Sequence, residues 1–208
     1  MMLSGLSRFN EEDMNRLLRN EEALKNALTI HRVPQLPNFP YKDLHEVRAA
    51  RETGDLALCF FYRADLLEEF GSKAEIIIHH AWLTVPGLTA LAYLCASFLT
   101  GDYYYLFGLF ALLLGFFGSS PALRFLVLPI VILAWLPALF LISSNFVWTA
   151  AIGGIYGGYI PTAIARTYLS KVLESRALLS EVILCYFYQI GALVFFQRSQ
   201  SRYIAYDR

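Results

Sequence analysis

Residues 76–100 read IIIHHAWLTVPGLTALAYLCASFLT, and after Gly101-Asp102 residues 103–118 read YYYLFGLFALLLGFFG. A helix rises 1.5 Å per residue, so about 20 apolar residues cross a hydrocarbon core roughly 30 Å thick. The first run is long enough to cross with tilt. The second is short, and the dipeptide between them leaves room only for a tight reversal. Read as a helical hairpin in lipid, this stretch decides the fold class.

The surroundings agree. From Ala81 to Ala165 the chain carries two formal charges, Asp102 and Arg124. A charge at bilayer depth costs several kcal/mol, and a low-dielectric surrounding explains such a desert. Hydrophobic residues make up 57 % of the 208 positions and charged residues 16 %. Soluble domains average roughly 45–50 % and 25 %. Two further runs follow, 123–143 and 146–165, separated from their neighbours by Ser119-Ser120-Pro121 and Ser144-Asn145. Loops this short make sequential helices antiparallel neighbours. The expectation is an all-α, polytopic integral membrane protein with four transmembrane helices, 76–100, 103–118, 123–143 and 146–165, arranged as two hairpins.

Charge sets the direction. Residues 1–78 hold ten Lys/Arg and thirteen Asp/Glu, and residues 166–208 hold six and three. The basic residues before the first span, Arg124, and Arg166, Lys171 and Arg176 after the fourth all fall on one side, and the positive-inside rule makes that side cytoplasmic. The net charge of zero supplies no excess to neutralise a phosphate backbone, which excludes nucleic-acid binding. Leu178–Phe196 is apolar apart from Ser180, Glu181 and Gln189. As a fifth span it would bury Glu181 and strand Arg198, Arg202 and Arg208 outside, so 166–208 reads as an amphipathic or re-entrant helix and tail at the cytoplasmic leaflet.

Residues 1–75 read as a cytoplasmic helical segment. Asn10 followed by Glu11, Glu12 and Asp13 is a helix start. Met14, Leu17, Leu18, Leu24 and Leu28 then form one stripe. Residues 33–40, Val-Pro-Gln-Leu-Pro-Asn-Phe-Pro, repeat proline every third position. That is the polyproline II period, which groups Val33, Leu36 and Phe39. Pro34, Leu36, Pro37, Phe39 and Pro40 are candidates for binding a partner, against a connector laid on the protein's own surface. Asp43–Thr53 reads as a helix ended by Gly54. Leu56–Phe70 reads as a second helix, capped by Asp55 and too apolar for a free surface.

The sharpest local pattern lies in the fourth span. Ala150, Gly153, Gly154, Gly157 and Gly158 form two overlapping GxxxG pairs with an extending alanine. In lipid, helices associate by close approach, which small residues permit. The row predicts tight packing within the bundle or an oligomer interface. Glu75, His79 and His80 are weak candidates for a metal or haem, because adjacent histidines point about 100° apart on a helix. Cys59, Cys95 and Cys185 are scattered and make no framework. Nucleophile, zinc and phosphate-loop motifs are missing, and no cofactor is implied.

These observations favour a non-catalytic membrane subunit that forms a homo-oligomer or organises membrane-protein partners. An oligomeric pore or passive transporter, with Thr84, Thr89, Ser97, Thr149 and Thr162 as lining, is the first alternative. A lipid-modifying or cofactor-binding enzyme resting on Glu75, His79 and His80 is the second.

Overall fold

The structure is a computed structural model that describes residues 11–28, 30, 32–36, 39–118 and 146–205. It is mostly helical, with one three-stranded sheet. The described elements are α1 Glu11–Ala27, a 3-10 turn Val33–Gln35, α2 Leu44–Glu52, β1 Leu56–Phe60, α3 Ala64–Phe70, α4 Lys73–Thr100, α5 Tyr104–Gly118, α6 Phe146–Ala177, α7 Glu181–Gln189, β2 Leu193–Gln197 and β3 Arg202–Ile204. They fall into two compact units. One joins the described residues up to Ile76 to those from Tyr168 onward, and the other is drawn from Ile77–Thr167.

The first unit has a packed core. Leu17 and Leu24 of α1 are buried, as the stripe requires, whereas Leu18 points outward. Val47, Leu56, Leu66, Leu67 and Phe70 meet Leu169, Leu173, Ile183, Phe187 and Phe195 in one cluster. Asp43 caps α2 by accepting the Glu46 N–H at 2.8 Å. Gly54 ends the same helical turn at φ +79, the left-handed region where only glycine is unstrained.

Two expectations are corrected in this unit. Leu56–Phe70 is not one helix: Leu56–Phe60 is a strand, and α3 starts only at Ala64. Asp55 caps nothing. Its carboxylate accepts the Ser199 N–H at 3.0 Å and the Tyr41 hydroxyl at 3.2 Å. Likewise 178–196 is not one interfacial helix but a nine-residue helix, a turn through Gly191, and a strand. α7 is apolar on most sides because protein surrounds it: Val182, Ile183, Leu184, Cys185, Phe187 and Tyr188 are all buried. Both corrections have one cause. β1 and β2 pair antiparallel, Leu56 opposite Gln197 and Phe60 opposite Leu193, and short apolar runs look alike as strand or buried helix until the distant partner is known. β2 then turns back through Ser201, at φ +48, to pair with β3.

The proline-spaced segment also differs in form. Val33–Gln35 is a 3-10 turn rather than polyproline II. Both conformations repeat every three residues, so spacing alone does not separate them.

In the second unit, α4 is long and apolar enough to cross a membrane, and only 6 % of its most apolar window is buried. Among the described residues it alone meets that test, and α5 is a shorter apolar helix. The expected third span, 123–143, lies outside the described residues. The expected fourth is the N-terminal part of the longer α6, where glycine and tyrosine dilute the apolar run.

Candidate functional site

The glycine row of α6 sits against helices of its own chain. A Cβ placed on Gly154 would collide with the Gly108 carbonyl of α5, and one on Gly158 with the Leu112 carbonyl and, at 2.8 Å, the Phe116 amide. The relation is reciprocal: a Cβ on Gly115 of α5 would overlap Ile155 of α6. Backbone therefore lies on backbone between α5 and α6, a separation that only glycine allows. Gly153 and Gly157 face α4 instead, where added Cβ atoms would meet the Tyr93 hydroxyl at 2.6 Å and Thr89 Cγ2 at 2.9 Å. Ala150 is buried, and its carbonyl accepts a hydrogen bond from Tyr93 Oη at 2.9 Å. Gly108 and Gly115 join the site only through the structure. Their separation of two helical turns is the one signal in the sequence that points to them.

The hydroxyls suggested as a pore lining are engaged locally. Thr84 donates to Ala81 O at 2.8 Å, Thr89 to Val85 O at 2.9 Å and Thr162 to Gly158 O at 2.6 Å. Each hydrogen stays on its own helix, as is usual for such residues in apolar surroundings. Ser97 donates to the Asp102 carbonyl at 3.2 Å. The side chain of Thr149 lies outside the described residues.

Outward, α4 and α5 present large apolar side chains. Phe98 is 90 % exposed and Leu99 82 %, and Leu88, Leu91, Phe107 and Phe110 are exposed as well. A water-soluble chain seldom leaves so many large apolar groups uncovered on two consecutive helices.

A polar knot lies in the first unit, at the start of α4. Ser72 and Glu75 form a reciprocal cap: the Ser72 amide donates to Glu75 Oε2 at 2.8 Å, and the Glu75 amide donates to Ser72 Oγ at 3.3 Å. The same Glu75 oxygen receives Arg176 Nη2 of α6 at 2.5 Å. Arg176 Nε donates to the Phe70 carbonyl at 3.2 Å. The flanking carbonyls are also taken, Glu69 by Asn20 Nδ2 at 2.9 Å and Gly71 by Arg16. Three successive carbonyls thus accept from side chains of α1 and α6, where the chain between α3 and α4 has no helical partners for them.

This geometry occupies Glu75, the carboxylate proposed for a metal. His79 is buried, and its ring meets His80 edge-on at 5.6 Å. Among the described residues no three His, Cys, Asp or Glu side chains come together as a metal set. In the proline-spaced segment Leu36 is buried and Phe39 stacks at 4.5 Å on Phe195, so the apolar members face the core while Pro34 and Pro40 face out. Pro37 lies outside the described residues. No protein family, curated protein or solved structure matches the chain.

Proposed function

We propose that this chain is an integral membrane subunit without catalytic chemistry, which assembles with copies of itself or with membrane-protein partners, its N-terminal segment in the cytoplasm. One observation carries the membrane part: a 28-residue apolar helix that is long enough to cross and is 6 % buried over its most apolar window. A core helix of a soluble protein passes the same length test but is covered by its own chain. The exposed apolar flanks of α4 and α5 support lipid or a partner span as their cover.

The strand pairing adds a constraint on topology. β1 lies before the apolar region and β2 after it, and the two are hydrogen-bonded in register. Strands in one sheet share one side of a membrane, so this supports an even number of crossings between them. The even count fits the four spans in two hairpins read from the sequence, and it speaks against a fifth span at 178–196.

The assembly part rests on chemistry the chain lacks and surface it keeps. Beyond His80, α4 carries no ionisable carboxylate, lysine, arginine or histidine, and neither does α5; such groups at bilayer depth are the usual mark of proton- or ion-coupled transport. Native mass spectrometry of the full chain, extracted from its own host in mild detergent, tests the reading. A complex of fixed stoichiometry is expected. A chain that stays in the soluble fraction after lysis defeats the membrane reading, and a strict monomer without partners defeats the assembly reading.

A further inference from the structure

β1 is an edge strand, paired with β2 on one side only. In an antiparallel ladder, alternate residues turn their backbone groups toward the partner strand. The Arg198 amide donates to the Asp55 carbonyl at 2.7 Å, and the Phe61 amide donates to the Ala192 carbonyl at 3.0 Å. In that register Ala57 and Cys59 also face β2, and Leu58 and Phe60 each direct an N–H and a C=O away from the sheet. These four groups have no partner among the described residues. The edge is open from Ala57 to Phe61 and closes at Leu56, which is 1 % exposed. Cys59 is exposed and lies at the centre of the open stretch.

We propose that this edge joins two copies of the chain, each β1 pairing antiparallel with the other about a two-fold axis at Cys59. The proposal rests on the assembly reading above and names its contact. Hydrogen bonding selects a second copy as the occupant. The two-fold sets Leu58 opposite Phe60 of the other copy, and each such pair exchanges two N–H···O bonds, so all four open groups on each strand are satisfied. Shape agrees: on the outer face Phe61, 61 % exposed, falls opposite Ala57 of the other copy, a large ring over a small residue. Charge agrees as well. Leu56–Phe61 holds no charged residue and no proline, the devices by which proteins keep sheet edges apart, so two such edges have nothing to repel them. The other edge strand, β3, is three residues long and begins with Arg202. Five paired residues are too few to hold a dimer in water, and confinement of both copies to one bilayer raises their effective concentration.

The test uses the full chain with Cys95→Ser in liposomes, treated with a short bis-maleimide. Cys185 is buried, so the reagent meets Cys59. Opposed residues of a non-hydrogen-bonded pair have Cα atoms about 4.5 Å apart, within its reach. A covalent dimer joined through Cys59 is the expected main product, and Cys59→Ser should abolish it. Two charge patterns separate a built contact from chance collision. Ala57→Glu/Phe61→Glu sets like charges opposite each other and should lower the yield at least about fivefold, whereas Ala57→Glu/Phe61→Lys sets opposite charges there and should restore it. Within one chain the two positions lie about 13 Å apart along the strand, so neither pattern acts internally. A yield blind to the charge pattern overturns the proposal. So does a Cys59 link, in host membranes, to a different protein alone. Native mass spectrometry of the same chain completes the test. A complex of several copies without the Cys59 link overturns this contact and leaves the assembly reading standing, and a strict monomer overturns both.

Discussion

Arg176 Nη2 reaches Glu75 Oε2 at 2.5 Å across 101 positions of sequence, and the arginine is 3 % exposed. The pair ties the last turns of α6 to the first turn of α4. Glu75→Ala leaves that guanidinium buried without its counter-charge, and should destabilise the first unit by about 2–4 kcal/mol, somewhat under the range for fully buried pairs because Glu75 is partly exposed. Glu75→Leu/Arg176→Met removes both charges and should recover part of the loss. Denaturant unfolding of the three proteins measures this. Equal midpoints for wild type and Glu75→Ala would show the pair to be inconsequential.

Gly154→Ala should destabilise the second unit by about 1–3 kcal/mol, because the new methyl meets α5 backbone and rigid backbone cannot step aside. Gly87→Ala is the matched control. A Cβ there meets nothing within 4 Å, and the change should be neutral or slightly stabilising. Thermal unfolding in detergent compares the two. If both variants melt alike, α5 and α6 do not pack through Gly154.

Asp55 gives a pH signature. The Ser199 side chain and amide, followed by the Tyr41 hydroxyl, hold its carboxyl below the ordinary carboxylate range. A lowered native pKa stabilises the fold above the unfolded value, about 3.9, and this contribution fades as pH falls through the native value. Asp55→Asn keeps an acceptor for Ser199 but cannot titrate. Its stability should therefore fall less than that of wild type as pH drops below about 4. Parallel acid titrations of the two proteins, followed by near-ultraviolet dichroism, are the measurement.

The cysteines report on both burial and sidedness. Burial pushes the Cys185 thiol up to about 12, with Glu181 adding to the effect, and its side chain is inaccessible inside α7. Cys59 is exposed on β1. A chain with Cys95→Ser should take one maleimide when native, at Cys59, and a second only after denaturation. In sealed vesicles, an impermeant maleimide should reach Cys59 from the cytoplasmic face alone. Labelling from the opposite face reverses the proposed orientation.

What is legible from sequence differs sharply between the two units. The apolar helices over 76–100 and 103–118 read directly, because runs of that length without Asp, Glu, Lys or Arg need apolar surroundings, lipid or protein. Gly153, Gly154, Gly157 and Gly158 read as a packing row just as directly, since the pattern is local to one helix. Their contacts in α5 and α4 are not legible, because they depend on which helices lie beside them. The first unit resists more. Leu193–Gln197 carries strand formers in Val194, Phe195 and Phe196, but at five residues neither it nor Leu56–Phe60 is long enough to settle strand against buried helix, and the pairing of the two decides it. The knot around Glu75 is hidden for a related reason: in the sequence Arg176 is one positive charge among several after the apolar region, and its partner lies far away along the chain.

The pairing of β1 with β2 also fixes an order of events during synthesis. At about 5–20 residues per second, β2 leaves the ribosome roughly 7–27 s after β1. Throughout that interval Leu56, Leu66, Leu67 and Phe70 lack their partners Phe187, Leu193 and Phe195. The N-terminal segment therefore waits, unsealed, while the apolar region is made. The nascent chain is then most vulnerable to proteases and aggregation, and whatever shields it acts before the last strands exist.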